Sequence, residues 1–236
     1  MANIQEYLDT KRELNNIIFD FLDDSDGNSV DIKSVINLIT QQKIPECREE
    51  LQHFLLLIIQ ISNHYQRFSN FFDKIKEIFN YLIPIIKQTF SNYELFNLTK
   101  SNKLILLYFI ENQTITIDAS ISSELSSQTD YFHFFYPELK SIADPNEVKK
   151  IEAELQANNY LDNFDQIRHK GENDSIICSL IREDSVIDFI AYINKKCINL
   201  NGRIKPSIFE TNSFLLKREP TLIEYAAFYG SIQIFQ

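Results

Sequence analysis

Glycine is scarce. Four occur in 236 residues, at Gly27, Gly171, Gly202 and Gly230, and none is near another. Phosphate-cradling loops, tight hairpins and nucleotide folds spend glycine on backbone geometry that other residues resist, so those classes are excluded. Cysteine is also sparse. Cys47, Cys178 and Cys197 are too scattered for a disulfide framework. Unpaired and reduced, they suit a cytoplasmic or nuclear setting. Positive charge is in deficit, with 23 Lys and Arg against 33 Asp and Glu for a formal charge of −10. Such a field repels phosphates and argues against nucleic acid as a partner. Long apolar runs are missing too. The most apolar, Phe54 to Ile59 extended by Ile61, falls far below the roughly 18 to 20 residues that span a bilayer, so no membrane partner is expected. Met1 to Glu6 lacks the basic and apolar regions of a signal peptide.

What is present is core. The chain is 44% hydrophobic, with 19 Phe and 11 Tyr, which is ample for a folded protein. Apolar residues recur at helical spacing from the start. Ile4, Tyr7, Leu8, Leu14, Ile18, Phe21 and Leu22 line a first helix, stopped by Asp23 to Asn28. Ile32, Val35, Ile36 and Ile39 mark a second. Leu51, Phe54, Leu55, Ile58, Ile61 and Tyr65 stripe a third. Leu56, Leu57 and Ile59 make it apolar nearly all round, hence central. Phe68, Phe71, Phe72, Ile75, Ile78, Phe79 and Leu82 form a fourth, which Pro84 should kink or end near Ile83. Leu104 to Phe109 reads as a short buried helix. Residues 112 to 135 read as loop with broken helix, although Thr114 to Ile117 alternates as a short strand would. Asp144-Pro145-Asn146-Glu147 is a helix start with Asp144 as cap and Pro145 at the first position. Val148, Ile151 and Leu155 then face inward.

From about Asp174 the helices become short and paired. Ser175 to Glu183 and Ser185 to Lys195 form one pair, and Thr221 to Tyr229 with Ser231 onward forms another. The pairs are copies 46 residues apart. Ser175-Ile176-Ile177 aligns with Thr221-Leu222-Ile223, Ser185-Val186 with Ser231-Ile232, and Phe189 with Phe235.

Thr221-Leu222-Ile223-Glu224-Tyr225-Ala226-Ala227-Phe228-Tyr229-Gly230-Ser231 resembles an ankyrin repeat, whose pattern is T-P-L-H-x-A-A-x-x-G-H. Thr221, Ala226, Ala227 and Gly230 match directly. Leu222 and Glu224 replace the family's Pro and His, and Thr221 with Glu224 restores the helix start as a capping box. In the first copy Asp184 replaces the Gly and Leu180-Ile181 replaces Ala-Ala. The family period is 33, so the connection from Asn201 to Thr221 is about 13 residues longer than usual. Ser179 to Asn194, Ile208 to Asn212 and Leu222 to Ser231 are similar to the divergent ankyrin proteins expanded in trichomonad protists. That resemblance implies a helical N-terminal region followed by repeats. Family members continue with more repeats, whereas this chain stops at Gln236, as a fragment or a short paralogue would.

The remaining motifs are weak. Asp24-Ser25-Asp26-Gly27 lacks the first ligand and the bidentate Glu of a calcium loop. His53, His64, His133 and His169 are dispersed, and no metal-ligand spacing occurs, so no metal or cofactor is expected. Cys178 and Cys197 sit on apolar-rich helices as small hydrophobes, with no visible base. Acidic pairs and Lys149-Lys150 read as solvated faces.

The expected fold is all-α: an irregular helical domain over 1–170, then a short ankyrin-like helix-pair solenoid over 171–236. The first pair should pack on the preceding helices as its cap. The resemblance implies a non-enzymatic scaffold binding a protein partner through a concave groove. Arg182, Glu183, Phe228 and Tyr229 occupy the groove positions, with aromatic packing as the alternative role for Phe228 and Tyr229. Two other readings stay open: a structural cap of a longer array, and an enzyme in the N-terminal helices. Ile232, Ile234 and Phe235 leave an apolar edge from which self-association is expected.

Overall fold

The helical periodicity becomes sixteen α-helices among the described residues. The computed structural model describes residues 2–23, 30–64 and 70–235, and the side chains of all of these except 2–8. Expectations for Ile4, Tyr7, Leu8, the loop from Asp24 to Asn28, Tyr65 and Phe68 lie outside these limits. The helices are α1 (Ala2–Leu22), α2 (Ile32–Gln41), α3 (Arg48–His64), α4 (Phe71–Thr89), α5 (Asn92–Thr99), α6 (Lys103–Glu111), α7 (Ala119–Ser126) and α8 (Thr129–Phe134). They continue as α9 (Tyr136–Leu139), α10 (Pro145–Ala157), α11 (Phe164–Lys170), α12 (Ile176–Arg182), α13 (Val186–Lys196), α14 (Ser213–Arg218), α15 (Leu222–Tyr229) and α16 (Ile232–Phe235). No strand forms among the described residues; Arg203 and Thr221 make an isolated antiparallel bridge. No helix of the described residues is long and apolar enough to cross a membrane.

The chain divides into two compact units, Met1–Leu98 and Thr99–Gln236. The boundary expected at residue 170 falls inside the second. In the first unit α4 packs against α1, α2 and α3. Its core draws on the apolar stripes read from sequence, including Leu14, Ile18, Val35, Ile39, Leu51, Phe54, Ile58, Ile75, Ile78 and Phe79, while Ile32, Ile36 and Phe72 of those stripes are half-buried and Leu38 joins the core. One expectation is corrected. α4 does not end near Ile83 but runs through Pro84 to Thr89. Pro84 withholds one N–H from the ladder, yet Leu82 before it and Ile86 after it are both fully buried. Packing on both sides holds the helix through a residue that breaks unsupported helices.

In the second unit α6 is the buried helix expected, with Leu104, Ile105, Leu106, Leu107 and Phe109 inside. Thr114 to Ile117 forms no strand. The N–H groups of Thr114 and Ile115 both donate to the Phe109 carbonyl, at 2.8 and 2.9 Å, and so complete the end of α6 instead. Asp144 caps α10, accepting from the Asn146 and Glu147 N–H groups at 2.9 and 3.3 Å, with Pro145 at the first position.

The glycine shortage has a structural counterpart. Six non-glycine residues take up the left-handed backbone among the described residues: Lys43, Gln113, Asn159, Asp184, Cys197 and Glu219. Most of them close a helix, a position that glycine fills without steric penalty. An L side chain there costs about 1 kcal/mol or more.

Candidate functional site

The two helix pairs stack. α12 lies against α13 and α15 against α16; between pairs, α12 meets α15 and α13 meets α16. Their shared core comprises Cys178, Ile181, Phe189, Leu222, Tyr225 and Ala226, with Ile204 and Leu215 from the connection. The turn inside each pair has the same hydrogen bonds 46 residues apart. Asp184 N–H donates to Ile181 O and Ser185 N–H to Leu180 O, at 3.0 and 3.1 Å; Gly230 N–H donates to Ala227 O and Ser231 N–H to Ala226 O, at 3.3 and 2.9 Å. These are Schellman turns, with Asp184 at φ 50° and Gly230 at φ 69° in the left-handed position. The start of α15 is the expected capping box. The Thr221 hydroxyl accepts the Glu224 N–H, and the Glu224 carboxylate accepts the Thr221 N–H at 2.8 Å. The Thr221 N–H, and then the Thr221 hydroxyl donating to the same carboxylate at 3.0 Å, hold the Glu224 carboxyl below its ordinary range.

Asp184 does more than replace a glycine. Its carboxylate accepts the N–H groups of Gln233 and Ile234, at 3.1 and 3.0 Å, and so caps the first turn of α16 in the other pair. The Ser231 hydroxyl returns a bond to the Ile181 carbonyl. One turn is therefore stitched to the next.

The four residues expected to line a groove part company. Arg182 points into the stack. Its Nε pairs with Glu172 at 2.9 Å, and its Nη1 donates to the Asn173 carbonyl at 2.9 Å and the Tyr225 hydroxyl at 2.7 Å. Its guanidinium also lies 5.8 Å from the centre of the Tyr229 ring. Tyr229 packs on Tyr225 at 4.7 Å, and burial drives both phenols far above their ordinary range. Phe228 is half-buried, stacked on Phe214 at 5.8 Å and edge-on to Tyr229 at 5.1 Å. Glu183 alone is exposed, with the Ser179 hydroxyl on its carboxylate at 2.8 Å.

The long connection supplies what local patterns did not show. Residues 204–212 fold back as a strap over 171–175. Thr211 donates from its N–H and its hydroxyl to the Gly171 carbonyl, at 3.0 and 2.8 Å. The Asn173 side chain donates to Lys205 O at 2.9 Å, and the Ser207 hydroxyl to Asp174 at 2.6 Å. Phe209, fully buried, meets Tyr160 and Phe164 edge-on at 4.9 and 5.3 Å. Gly171 is the position that requires glycine twice over. Its φ is +66°, and a Cβ there would lie 2.4 Å from Leu104 Cδ1 and 2.8 Å from Thr211 Oγ1. The first pair was expected to pack on the preceding helices, and the contact seen between these segments runs through the strap. Ile176 on α12 and Ile187 on α13 remain 58% and 83% exposed. The strap, through Phe209, makes the join. Two signals for this region were legible: Gly171 after Arg168-His169-Lys170 is a helix stop, and Asn212 before Ser213-Phe214-Leu215 is the cap that starts α14.

A cleft of about 440 Å³ in the second unit is lined by Ser122, Ser123, Ser126, Ser127, Asp144 and Glu147 among others, with no imidazole, thiol or ammonium on its wall. Cys178 is fully buried, and burial pushes its thiol up to about 11, so it is protonated at neutral pH. Among the described residues no group of three or more His, Cys, Asp or Glu side chains is placed to hold a metal ion. The Asp24 to Gly27 loop lies outside the described residues. Comparison with protein-family models, curated proteins and solved structures finds no match to this chain.

Proposed function

We propose that the chain is a non-enzymatic protein-interaction module built on ankyrin-like helix pairs. The observation that carries this reading is the repeated Schellman turn, with the same bonds 46 residues apart, in two pairs whose first helices and second helices stack on each other. Such stacking presents successive first helices and turns side by side as a recognition surface. On that surface Glu183 and the outer ring face of Phe228 would meet a protein partner, while Arg182 and Tyr229 support them from beneath. The net charge of −10 favours a partner with a basic or neutral face over nucleic acid. Affinity capture from native lysate tests the reading. The double variant Glu183→Lys/Phe228→Ala should lose partners that the wild type retains, with its helical circular dichroism unchanged. Capture of the same partners by both proteins would defeat it.

A second, structural reading rests on one contrast. Phe189 is 7% exposed under the second pair, whereas Phe235, at the same repeat position, is 53% exposed. A further helix pair would cover it, supplied by a longer array or by a second copy. Light scattering across a concentration series distinguishes a self-associating chain from a monomer, and Phe235→Glu should shift the former toward monomer.

A further inference from the structure

α13 carries an apolar stripe on its outer side. Phe189 is buried in the shared core, with Val186 and Ile193 half-buried beside it. At about 3.6 residues per turn, Ile187, Ala191 and Asn194 lie on the opposite side of the helix. Those three are exposed, and so is Ile190 on one flank of them. Ile187 is 83% exposed and Ile190 is 48% exposed. No other large apolar side chain among the described residues is as bare as Ile187. Isoleucine gains nothing there by itself, because its branched Cβ lowers helix propensity and its apolar surface stays in water.

The charges beside the stripe suit one kind of partner. On the other flank lie Asp188, near the start of the helix, and Lys195, near its end, both exposed. Asp188 accepts the Ser185 hydroxyl at 2.9 Å. Seven positions separate Asp188 from Lys195, about 10 Å along the axis, so they are not neighbours within α13. A second α13 can lie antiparallel on the first, about a two-fold axis between Ala191 and Tyr192. Like flanks then meet, and Asp188 of each copy stands level with Lys195 of the other, twice over. Ile190 meets its counterpart on the apolar flank. Small Ala191 lies near the axis and lets the helices approach, and Ile187 lies beside Asn194 of the other copy. A parallel pair would instead set the charged flank against Ile190.

We propose that the outer face of α13 is a self-association surface, pairing antiparallel with the same face of a second copy. The seam uses none of the residues that carry the two readings above, Glu183 and Phe228 or Phe235. α13 has 11 residues and is therefore only about 16 Å long. Its seam falls short of the roughly 1,200–2,000 Å² that stable dimers bury, so the pair is weak, with a Kd on the order of 100 µM.

Sedimentation equilibrium of the full chain, up to about 500 µM, tests the pairing. The wild type should dimerise. Asp188→Lys and Lys195→Asp each turn two attractions into two repulsions, and each should weaken the dimer about tenfold. An equimolar mixture of these two variants restores opposite charges at both contacts and should associate as the wild type does. Phe235→Glu should keep the dimer, which separates this surface from the open end of α16. A monomeric wild type, single variants that dimerise as the wild type does, or a mixture no better than its components would each overturn the proposal. Loss of the dimer in Phe235→Glu would assign the contact to α16 and overturn it too. If a variant loses its helical circular dichroism, carbodiimide cross-linking of isotope-labelled wild type mixed with unlabelled wild type decides. An Asp188–Lys195 peptide pair carrying one label of each kind is expected, and its absence would overturn the proposal equally.

Discussion

The two helix pairs share one backbone plan and differ in what each residue of the plan is asked to do. At the turn, Gly230 contributes only a backbone conformation; a Cβ there would meet nothing within 4 Å. Asp184 adopts the same conformation and also lends its carboxylate to the first turn of α16. At the second-helix position, Phe189 is covered by the neighbouring pair and Phe235 is open. Identical register therefore does not mean identical energetics. A repeat position is worth what the next element makes of it.

The sharpest test of that claim is the phenylalanine pair. Phe189→Ala should destabilise the chain by about 3–5 kcal/mol, as for a buried aromatic, whereas Phe235→Ala should cost less than about 0.5 kcal/mol. Equal midpoints in urea would erase the distinction. Next come the two left-handed glycines. Gly171→Ala meets both a disfavoured left-handed φ and a wall formed by Leu104 and Thr211. A loss of about 2–4 kcal/mol is expected, against about 1 kcal/mol for Gly230→Ala, read as thermal midpoints. At the inter-pair cap, Asp184→Ala should cost about 1 kcal/mol by orphaning two N–H groups of α16, with exchange protection lost there first. Asp184→Gly should be close to neutral, because relief of the left-handed strain offsets the lost cap. The smallest effect has the opposite sign. Cys197 is exposed at φ 52° where α13 ends. Cys197→Gly should gain about 0.5–1 kcal/mol in chemical denaturation.

Local features of this fold were legible in sequence, and features made by distant residues were not. The capping box of Thr221 and Glu224 lies within four residues and was readable as written. So were the Asp144 start of α10, the buried run from Leu104 to Phe109, and the 46-residue offset. Pro84 misled because its local signal is overridden by burial of Leu82 and Ile86. The strap was invisible because Gly171 and Thr211 are 40 residues apart and nothing in either neighbourhood names the other. Arg182, Phe228 and Tyr229 lie on helices that the periodicity showed, yet which way Arg182 turns depends on Glu172, Asn173 and Tyr225 together. Periodicity reports which face of a helix is apolar, not which polar side chain will be recruited inward.

The Arg182 network also supplies the molecule with an optical reporter. The chain has no Trp and 11 Tyr, so its near-ultraviolet absorbance belongs mainly to phenols. An exposed phenol ionises near pH 10. Tyr225 and Tyr229 resist ionisation through burial. After a jump to alkaline pH, tyrosinate absorbance should therefore rise in two stages, an immediate one from surface rings and a delayed one that includes this pair. Burial also raises Tyr131 and Tyr160, so the part of the delayed stage that Tyr225→Phe/Tyr229→Phe removes is the clock for the opening of the helix-pair stack, readable in unlabelled protein.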